Sequence, residues 1–171
     1  MYSQPQSLLP NFVSGNADRL LHANMGKLTG GLSPASIGSA WIDWAAHLAI
    51  SPSKQSEIVE MAARQWERLG HYMAHLPGHS CERCIEPLPQ DPRFRAPEWN
   101  EWPYNVIHQS FLLGQQWASI ATRGVRGMTK HHEQVVDYMA RQAMDFVLPS
   151  NFVGTNPEIW KIIQETGGEN F

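Results

Sequence analysis

The sequence predicts an all-α fold: a compact bundle of five or six amphipathic helices with a long proline-rich connector. Apolar residues recur at steps of three and four along most of the chain, and Ser-Pro and Asn-Pro pairs mark helix starts. No stretch shows the alternating pattern of a half-buried strand. The 171 residues suffice for one core. We therefore expect one helical domain over 14–171, preceded by an extended arm over 1–13.

The first half of the chain predicts one short helix and two long ones. The short helix should run from Ala17 to Met25, and the long ones should start at Ser33-Pro34 and Ser51-Pro52. Serine can cap the free amides there, and proline supplies a helical φ in the first turn. The buried face of the third helix is predicted from the series Ile58, Ala62, Trp66, Leu69 and Met73.

The second half begins with the connector. Five prolines lie between Pro77 and Pro97, a density that excludes regular helix, so we expect this segment to cross the surface of the core. Three more helices are predicted after it: from near Pro103 to about Thr122, from a Thr129 cap to Phe146, and from Asn156-Pro157 to Gly167-Gly168.

Charge and composition exclude several classes of protein. The chain has 13 Lys and Arg against 16 Asp and Glu, a formal net charge of -3, and both signs are dispersed, which argues against a nucleic-acid partner. Charged residues or histidines interrupt every apolar stretch well before the roughly 20 residues of a membrane helix. We expect no transmembrane segment, no secretory signal and a cytoplasmic location.

No nucleophile suited to catalysis is evident. Acyltransferases of the α/β class hold a Ser or Cys between two glycines at a strand-to-helix elbow. The nearest approach here, Gly31-Leu32-Ser33, has neither the second glycine nor a preceding strand, so Ser33 is interpreted as a helix cap. His131 and His132 are adjacent on a helix, where their side chains diverge. We predict no catalytic residue and no cofactor.

The connector contains one candidate metal site. His79, Cys81 and Cys84 form H-x-C-x-x-C, a spacing that allows two thiolates to meet one zinc ion. A second ligand pair is missing, although His71 and His75 lie one turn apart on the preceding helix. The competing interpretation, which we favour, is a solvent-exposed loop with two thiols that are dispensable for folding.

Seven tryptophans are many for this length, and most lie on predicted apolar faces. We assign these to core packing: Trp41, Trp44, Trp66, Trp117 and Trp160. Trp99 and Trp102 lie between polar residues, where burial is harder to achieve. They are predicted to form an exposed interface.

Many short blocks, in order, resemble the N-terminal region of class I polyhydroxyalkanoate synthases. They are Leu28-Thr29-Gly30-Gly31-Leu32-Ser33-Pro34, Asp43-Trp44-Ala45-Ala46-His47-Leu48, Asp91-Pro92-Arg93-Phe94, Pro97-Glu98-Trp99, Val125-Arg126-Gly127, His131-His132-Glu133, Pro149-Ser150-Asn151-Phe152, Thr155-Asn156-Pro157-Glu158 and Gly167-Gly168-Glu169-Asn170-Phe171. The resemblance covers about residues 26–171. The loop with Cys81 and Cys84 departs from it and looks like an insertion.

The resemblance implies a parent reaction that joins (R)-3-hydroxyacyl units from coenzyme A thioesters into a polyester and releases coenzyme A. In that family a Cys, an Asp and a His of an α/β-hydrolase domain perform it. That domain would follow Phe171, and none of the three residues can be assigned in this sequence. This chain would be a non-catalytic domain that supports the catalytic domain, self-associates and attaches to the polymer granule or its coat proteins.

The resemblance adds a second interface candidate, and one alternative remains open. The C-terminal stretch lies closest to the implied catalytic domain, so we rank it first for association, with Phe152, Ile159, Trp160 and Ile163 as its contact residues. The alternative is a freestanding small metal-binding or regulatory protein that uses His79, Cys81 and Cys84.

Overall fold

The computed structural model describes residues 11–75, 83–88 and 91–169, and within these ranges the predicted all-α fold is confirmed, with no strand. The six helices are α1 (Asn11–Leu28), α2 (Pro34–Ala49), α3 (Pro52–His75), α4 (Tyr104–Thr122), α5 (Lys130–Phe146) and α6 (Pro157–Thr166). Two short 3₁₀ turns, Pro97–Asn100 and Pro149–Asn151, precede α4 and α6.

The predicted helix starts are confirmed at α2, α3, α5 and α6. Prolines open α2, α3 and α6, and Thr129 Oγ1 accepts a hydrogen bond from the His132 amide at the start of α5. Asn156 caps α6 by accepting from the amides of Glu158 and Ile159. Ser33 occupies the cap position of α2, but its hydroxyl makes no capping bond. Local start signals therefore set most of these boundaries.

Helix α1 differs from its prediction. It starts at Asn11 rather than Ala17 and ends at Leu28, so the predicted extended arm over 1–13 is wrong for residues 11–13. Residues 1–10 lie outside the described part of the chain. Gly30, with φ at 61°, ends the following turn, and a Cβ atom there would lie 2.2 Å from the Tyr138 hydroxyl. The turn between α1 and α2 is therefore packed against α5.

Helices α2 to α5 form a ring in which α2 packs on α3 and α5, and α4 packs on α3 and α5. Helix α6 packs on the first 3₁₀ turn instead. Among the described residues, buried side chains form three clusters. The first contains Phe94, Trp99, Phe111, Leu112 and Leu148. The second contains Leu69, Tyr72, Cys84 and Leu113, and the third contains Ala40, Val135 and Val136. Helix α1 takes no part in the principal helix contacts.

The connector was predicted to cross the surface of the core, and for its described residues this is wrong in part. Cys84 and Phe94, within the predicted bounds, are buried and belong to two core clusters. In the structure the connector continues past Pro97 to Pro103, just before α4, and this extension adds the buried Trp99. Gln109 on α4, itself fully buried, accepts a hydrogen bond from the Ile85 amide and donates one to the Ile85 carbonyl. This pairing removes the cost of burying a backbone without secondary structure.

Candidate interaction surface

A polar contact between α2 and α5 shifts the pKa of Asp43. The carboxylate of Asp43 on α2 accepts a hydrogen bond from His132 Nδ1 on α5 at 2.7 Å. His47 Nδ1 lies 3.0 Å from the other carboxylate oxygen and donates to the backbone carbonyl of Asp43 at 2.9 Å. The hydrogen bond from His132 is the main reason that the pKa of Asp43 is lowered. His131 is exposed, and its ring centroid lies 6.0 Å from that of His132. The cluster ties α2 to α5.

Arg93 fixes the connector to the bundle. Its guanidinium donates to both carboxylate oxygens of Asp91, which lowers the pKa of that carboxyl, and it also reaches Asp145 on α5. The same group lies over the rings of Phe94 and Phe111, 5.9 and 5.8 Å from their centroids. A planar guanidinium suits both kinds of contact, so one side chain joins the connector to α4 and α5.

Trp99 is a core residue, and its prediction as an exposed interface residue is wrong. Its ring is completely buried against Phe94, and its indole N–H donates to Glu158 on α6 at 2.9 Å. Next to it, Lys161 on α6 donates to Glu98 at 2.6 Å, which lowers the pKa of Glu98. These two contacts hold one side of α6 against the connector.

Helix α6, the turn before it and the end of α5 also expose apolar side chains. Phe152 is 49% exposed and Trp160 is 40% exposed, whereas Ile159 and Ile163 are only partly buried. Sequence reasoning missed four further exposed members: Phe146, Val147, Val153 and Ile162. We call this set of eight side chains the C-terminal apolar surface. Trp102, the remaining predicted interface residue, is 75% exposed.

Four core predictions on helix faces are wrong. Trp66 and Met73 on α3 are 73% and 43% exposed, and Trp117 on α4 and Trp160 on α6 are 38% and 40% exposed. Their periodicity places each on an apolar helix face, but no neighbouring helix covers that part of the face. Trp66 instead lines an apolar groove between α3 and α4.

The predicted metal site falls largely on residues that the structure leaves undescribed. His79 and Cys81 lie outside the described residues, whereas Cys84 is buried and its thiol donates to the Arg68 carbonyl at 3.5 Å. His71 and His75 stack on one exposed face of α3, with ring centroids 6.3 Å apart. Across the described ranges, no group of three or more His, Cys, Asp or Glu is arranged to hold a metal ion.

Two family models match the chain. The model described as "Poly-beta-hydroxybutyrate polymerase N terminal" matches residues 14–54, and "Poly-beta-hydroxybutyrate polymerase (PhaC) N-terminus" matches residues 90–171. The chain belongs to the polyhydroxyalkanoate synthase family and corresponds to its N-terminal region. The match to this family confirms the resemblance stated from the sequence blocks.

Curated relatives agree with the family assignment. The poly(3-hydroxyalkanoate) polymerase of Methylorubrum extorquens is 33% identical over 57% of this chain and 16% of its own length. The poly(3-hydroxyalkanoate) polymerase subunit of Rhizobium meliloti (strain 1021) is 26% identical over 61% of this chain and 17% of its own length, and that of Cupriavidus necator is 26% identical over 80% and 22%. The chain thus spans less than a quarter of the length of these synthases. No solved structure matches it.

The blocks that resemble the synthase family meet in space. Gly127 lies against the His47 ring, since a Cβ atom there would be 2.2 Å from His47 Cδ2. Trp99 and Glu158, from two further blocks, share a hydrogen bond. The family blocks thus supply contacts that hold this helical domain together.

No helix in the described part of the chain has both the length and the apolar character needed to cross a membrane.

Proposed function

We propose that this chain is the non-catalytic N-terminal domain of a class I polyhydroxyalkanoate synthase, and that it supports the domain that polymerises (R)-3-hydroxyacyl-coenzyme A. The observation that carries the proposal is the C-terminal apolar surface, which lies within the segment matched by the second family model. A soluble domain rarely exposes such a set of large apolar side chains without a partner.

The proposed partner of this surface is the catalytic α/β-hydrolase domain of the same protein. Glu158 and Lys161 attach α6 to the connector, so the helix is held in a fixed orientation with Trp160 and Ile162 partly exposed. A rigid, partly exposed tryptophan is a favoured anchor at interfaces. Chain connectivity would keep these residues close to a domain that follows them.

The polar groups of the bundle support a structural role. Asp43, Asp91 and His108 all have a shifted pKa, and each is engaged with side chains or backbone of its own bundle. Shifted pKa values mark catalytic sites when the group also faces a cleft where a substrate can bind. Asp91 lines a cavity of about 390 Å³, but it is paired with Arg93 there, whereas Asp43 joins α2 to α5 and His108 is buried beside Gln109. These pairings support a chain without a reacting group of its own.

Self-association and attachment to the polymer granule or its coat proteins complete the proposal, with a location in the cytoplasm at the granule surface. Trp102 supports the attachment, because its 75% exposed ring is available to an apolar surface.

The alternative metal-binding protein would need His79 and Cys81 to form its site with Cys84. Zinc that stays bound in stoichiometric amount through dialysis would favour that alternative.

The non-catalytic role is tested by thiol release from 3-hydroxybutyryl-coenzyme A. The purified chain should release no coenzyme A above the rate without protein, because its sequence has no Ser or Cys held between two glycines in the manner of a nucleophile elbow. A parallel preparation from cells that lack the gene controls for contaminants. Release that depends on the chain and persists through repeated purification would contradict the proposal.

A further inference from the structure

The structure contains an apolar groove that the proposed function does not use. It lies between α3 and α4 and encloses about 500 Å³. Leu69 and Leu113 form its buried floor, and Trp66, Met73 and Trp117 form its rim, with 73, 43 and 38% of their surfaces exposed. Such an exposed apolar set calls for an occupant.

The polar atoms beside the groove already have partners. The indole N–H of Trp117 donates to the Ile58 carbonyl at 3.2 Å, and the Gln65 amide donates to Gln116 at 3.2 Å. An occupant therefore gains little from hydrogen bonds and most from covering apolar surface. The groove fits an apolar helix face better than a polar ligand.

The exposed apolar face of α3 extends beyond the groove. At 3.6 residues per turn, Val59, Ala63 and Gly70 lie beside Trp66 on the side away from the core, whereas Glu60, Arg64 and Glu67 lie further round the helix. Val59 is 66% exposed, and open space surrounds Gly70. Small side chains here allow another helix to approach closely.

Helix α1 has the complementary property. Ala17, Leu21 and Met25 recur every four residues on one face, with Leu20 beside them. Leu20 and Leu21 are 65% and 60% exposed, and α1 takes no part in the principal helix contacts. Most helical stability in proteins comes from packing an apolar face, so an 18-residue helix with this face exposed requires a partner surface.

The lengths of the helix face and the groove also match. The apolar face from Ala17 to Met25 extends about 12 Å along the helix axis at 1.5 Å per residue. The groove residues on α3, from Ala62 to Met73, extend about 17 Å. The face of α1 can therefore lie entirely within the groove.

The turn after α1 indicates that α1 would bind the groove of a second copy rather than the groove of its own chain. Thr29 Oγ1 donates to the carbonyls of Met25 and Leu32, and the Gly31 amide donates to the Gly26 carbonyl, which fixes the turn. Gly30 packs this turn against Tyr138 on α5. Helix α1 is thus anchored beside α2 and α5, whereas the groove lies between α3 and α4.

We propose that two copies of this chain pair by placing α1 of each in the α3–α4 groove of the other. Within the described residues, this reciprocal exchange covers both the exposed face of α1 and the groove of each chain, and the two-fold arrangement is closed. The inference rests on the self-association in the proposed function and assigns it to surfaces other than the C-terminal apolar surface.

The test is sedimentation of the 171-residue chain over a range of concentrations, with two charge substitutions at exposed positions. Leu21→Asp places a carboxylate in the face of α1, and Trp66→Asp places one at the groove rim. Each should raise the dimer dissociation constant at least about tenfold, since each places a carboxylate where a large apolar side chain would otherwise be buried. Ile42→Asp on α2, where Ile42 is also 73% exposed, is the matched control and should have no effect.

Mixing the two variants tests the exchange itself. Leu21→Asp retains an intact groove and Trp66→Asp retains an intact α1, so the mixture should form heterodimers more readily than either variant forms homodimers. Thermal melts of each variant check that the fold is retained. Recovery on mixing together with an unaffected control supports the inference.

Three outcomes would overturn it. One is a monomeric wild type at the highest soluble concentration. Another is a dimer that resists both substitutions and dissociates only with Trp160→Ala, which would move self-association to the C-terminal apolar surface and leave the proposed function intact. The third is a monomer destabilised by Leu21→Asp, because α1 would then lie in its own groove.

Discussion

The connector and helix α1 contrast in regularity and in burial. The described part of the connector, residues 83–88 and 91–103, contains one short 3₁₀ turn, yet it provides Cys84, Phe94 and Trp99 to the core. Helix α1 is regular over 18 residues, and none of its described side chains, from residues 16–27, belongs to the buried clusters. Regular secondary structure thus does not identify the residues that stabilise this fold. Those residues are identified by the contacts that each segment makes with α4 and its neighbours.

Trp99→Ala should give the largest loss of stability. Truncating a fully buried tryptophan leaves a cavity and costs about 3–5 kcal/mol, and the substitution also removes the hydrogen bond to Glu158. Trp102→Ala, three residues away and 75% exposed, is the matched control and should change stability by less than about 0.5 kcal/mol. Urea unfolding followed by circular dichroism measures both. Equal losses would contradict the role given to the connector.

The contrast between Trp99 and Trp102 shows where sequence reasoning succeeds and where it stops. Thr129, Asn156 and the prolines at helix starts act on neighbouring amides, so the sequence identified those starts. The burial of Trp99 depends on Phe94 and on Glu158 of α6, which only the folded chain brings together. Trp66 fails for the same reason: periodicity defines an apolar face, and the position of α4 decides how much of it is covered.

Gln109→Ala should give the second largest loss of stability, after Trp99→Ala. The amide of Gln109 pairs with both backbone groups of Ile85 and donates to His108 Nε2 at 2.8 Å. Its removal leaves buried polar groups unsatisfied at about 1–3 kcal/mol each. Ser110→Ala provides the control, because Ser110 is exposed on the same helix and its hydroxyl bonds to the Val106 carbonyl of that helix. Chemical denaturation at neutral pH compares the variants, and a loss no larger than that of Ser110→Ala would show that this contact does not hold the connector.

Stability should also fall in weak acid because of His108. Burial lowers the pKa of this histidine from 6.5, so the folded chain binds fewer protons there than the unfolded chain does. The contribution is therefore present above pH 6.5 and is lost as the pH falls toward the lowered pKa of the folded state. Denaturation midpoints at several pH values measure it. His108→Gln keeps an acceptor for Gln109 without titrating, and an unchanged pH profile in this variant would exclude His108 as the cause.

The smallest effect on stability is expected in α1. Leu21→Ala removes a side chain that is 60% exposed, so the unfolding free energy at low protein concentration should change by less than about 0.5 kcal/mol. Thermal melts of dilute protein test this. A loss comparable to that of Gln109→Ala would show that α1 packs within its own chain, and the contrast with the connector would disappear.

The central claim is that this domain docks on a catalytic domain through its C-terminal apolar surface. The most direct measurement is calorimetric titration of the chain into the part of the Methylorubrum extorquens polymerase that lies beyond the region matching this chain, with that protein's own matching segment as the positive control. If this surface is the docking site, we expect saturable binding that Trp160→Asp weakens at least about tenfold and that Ile42→Asp leaves unchanged. Binding by the control segment but not by this chain, or equal binding by wild type and Trp160→Asp, would contradict it.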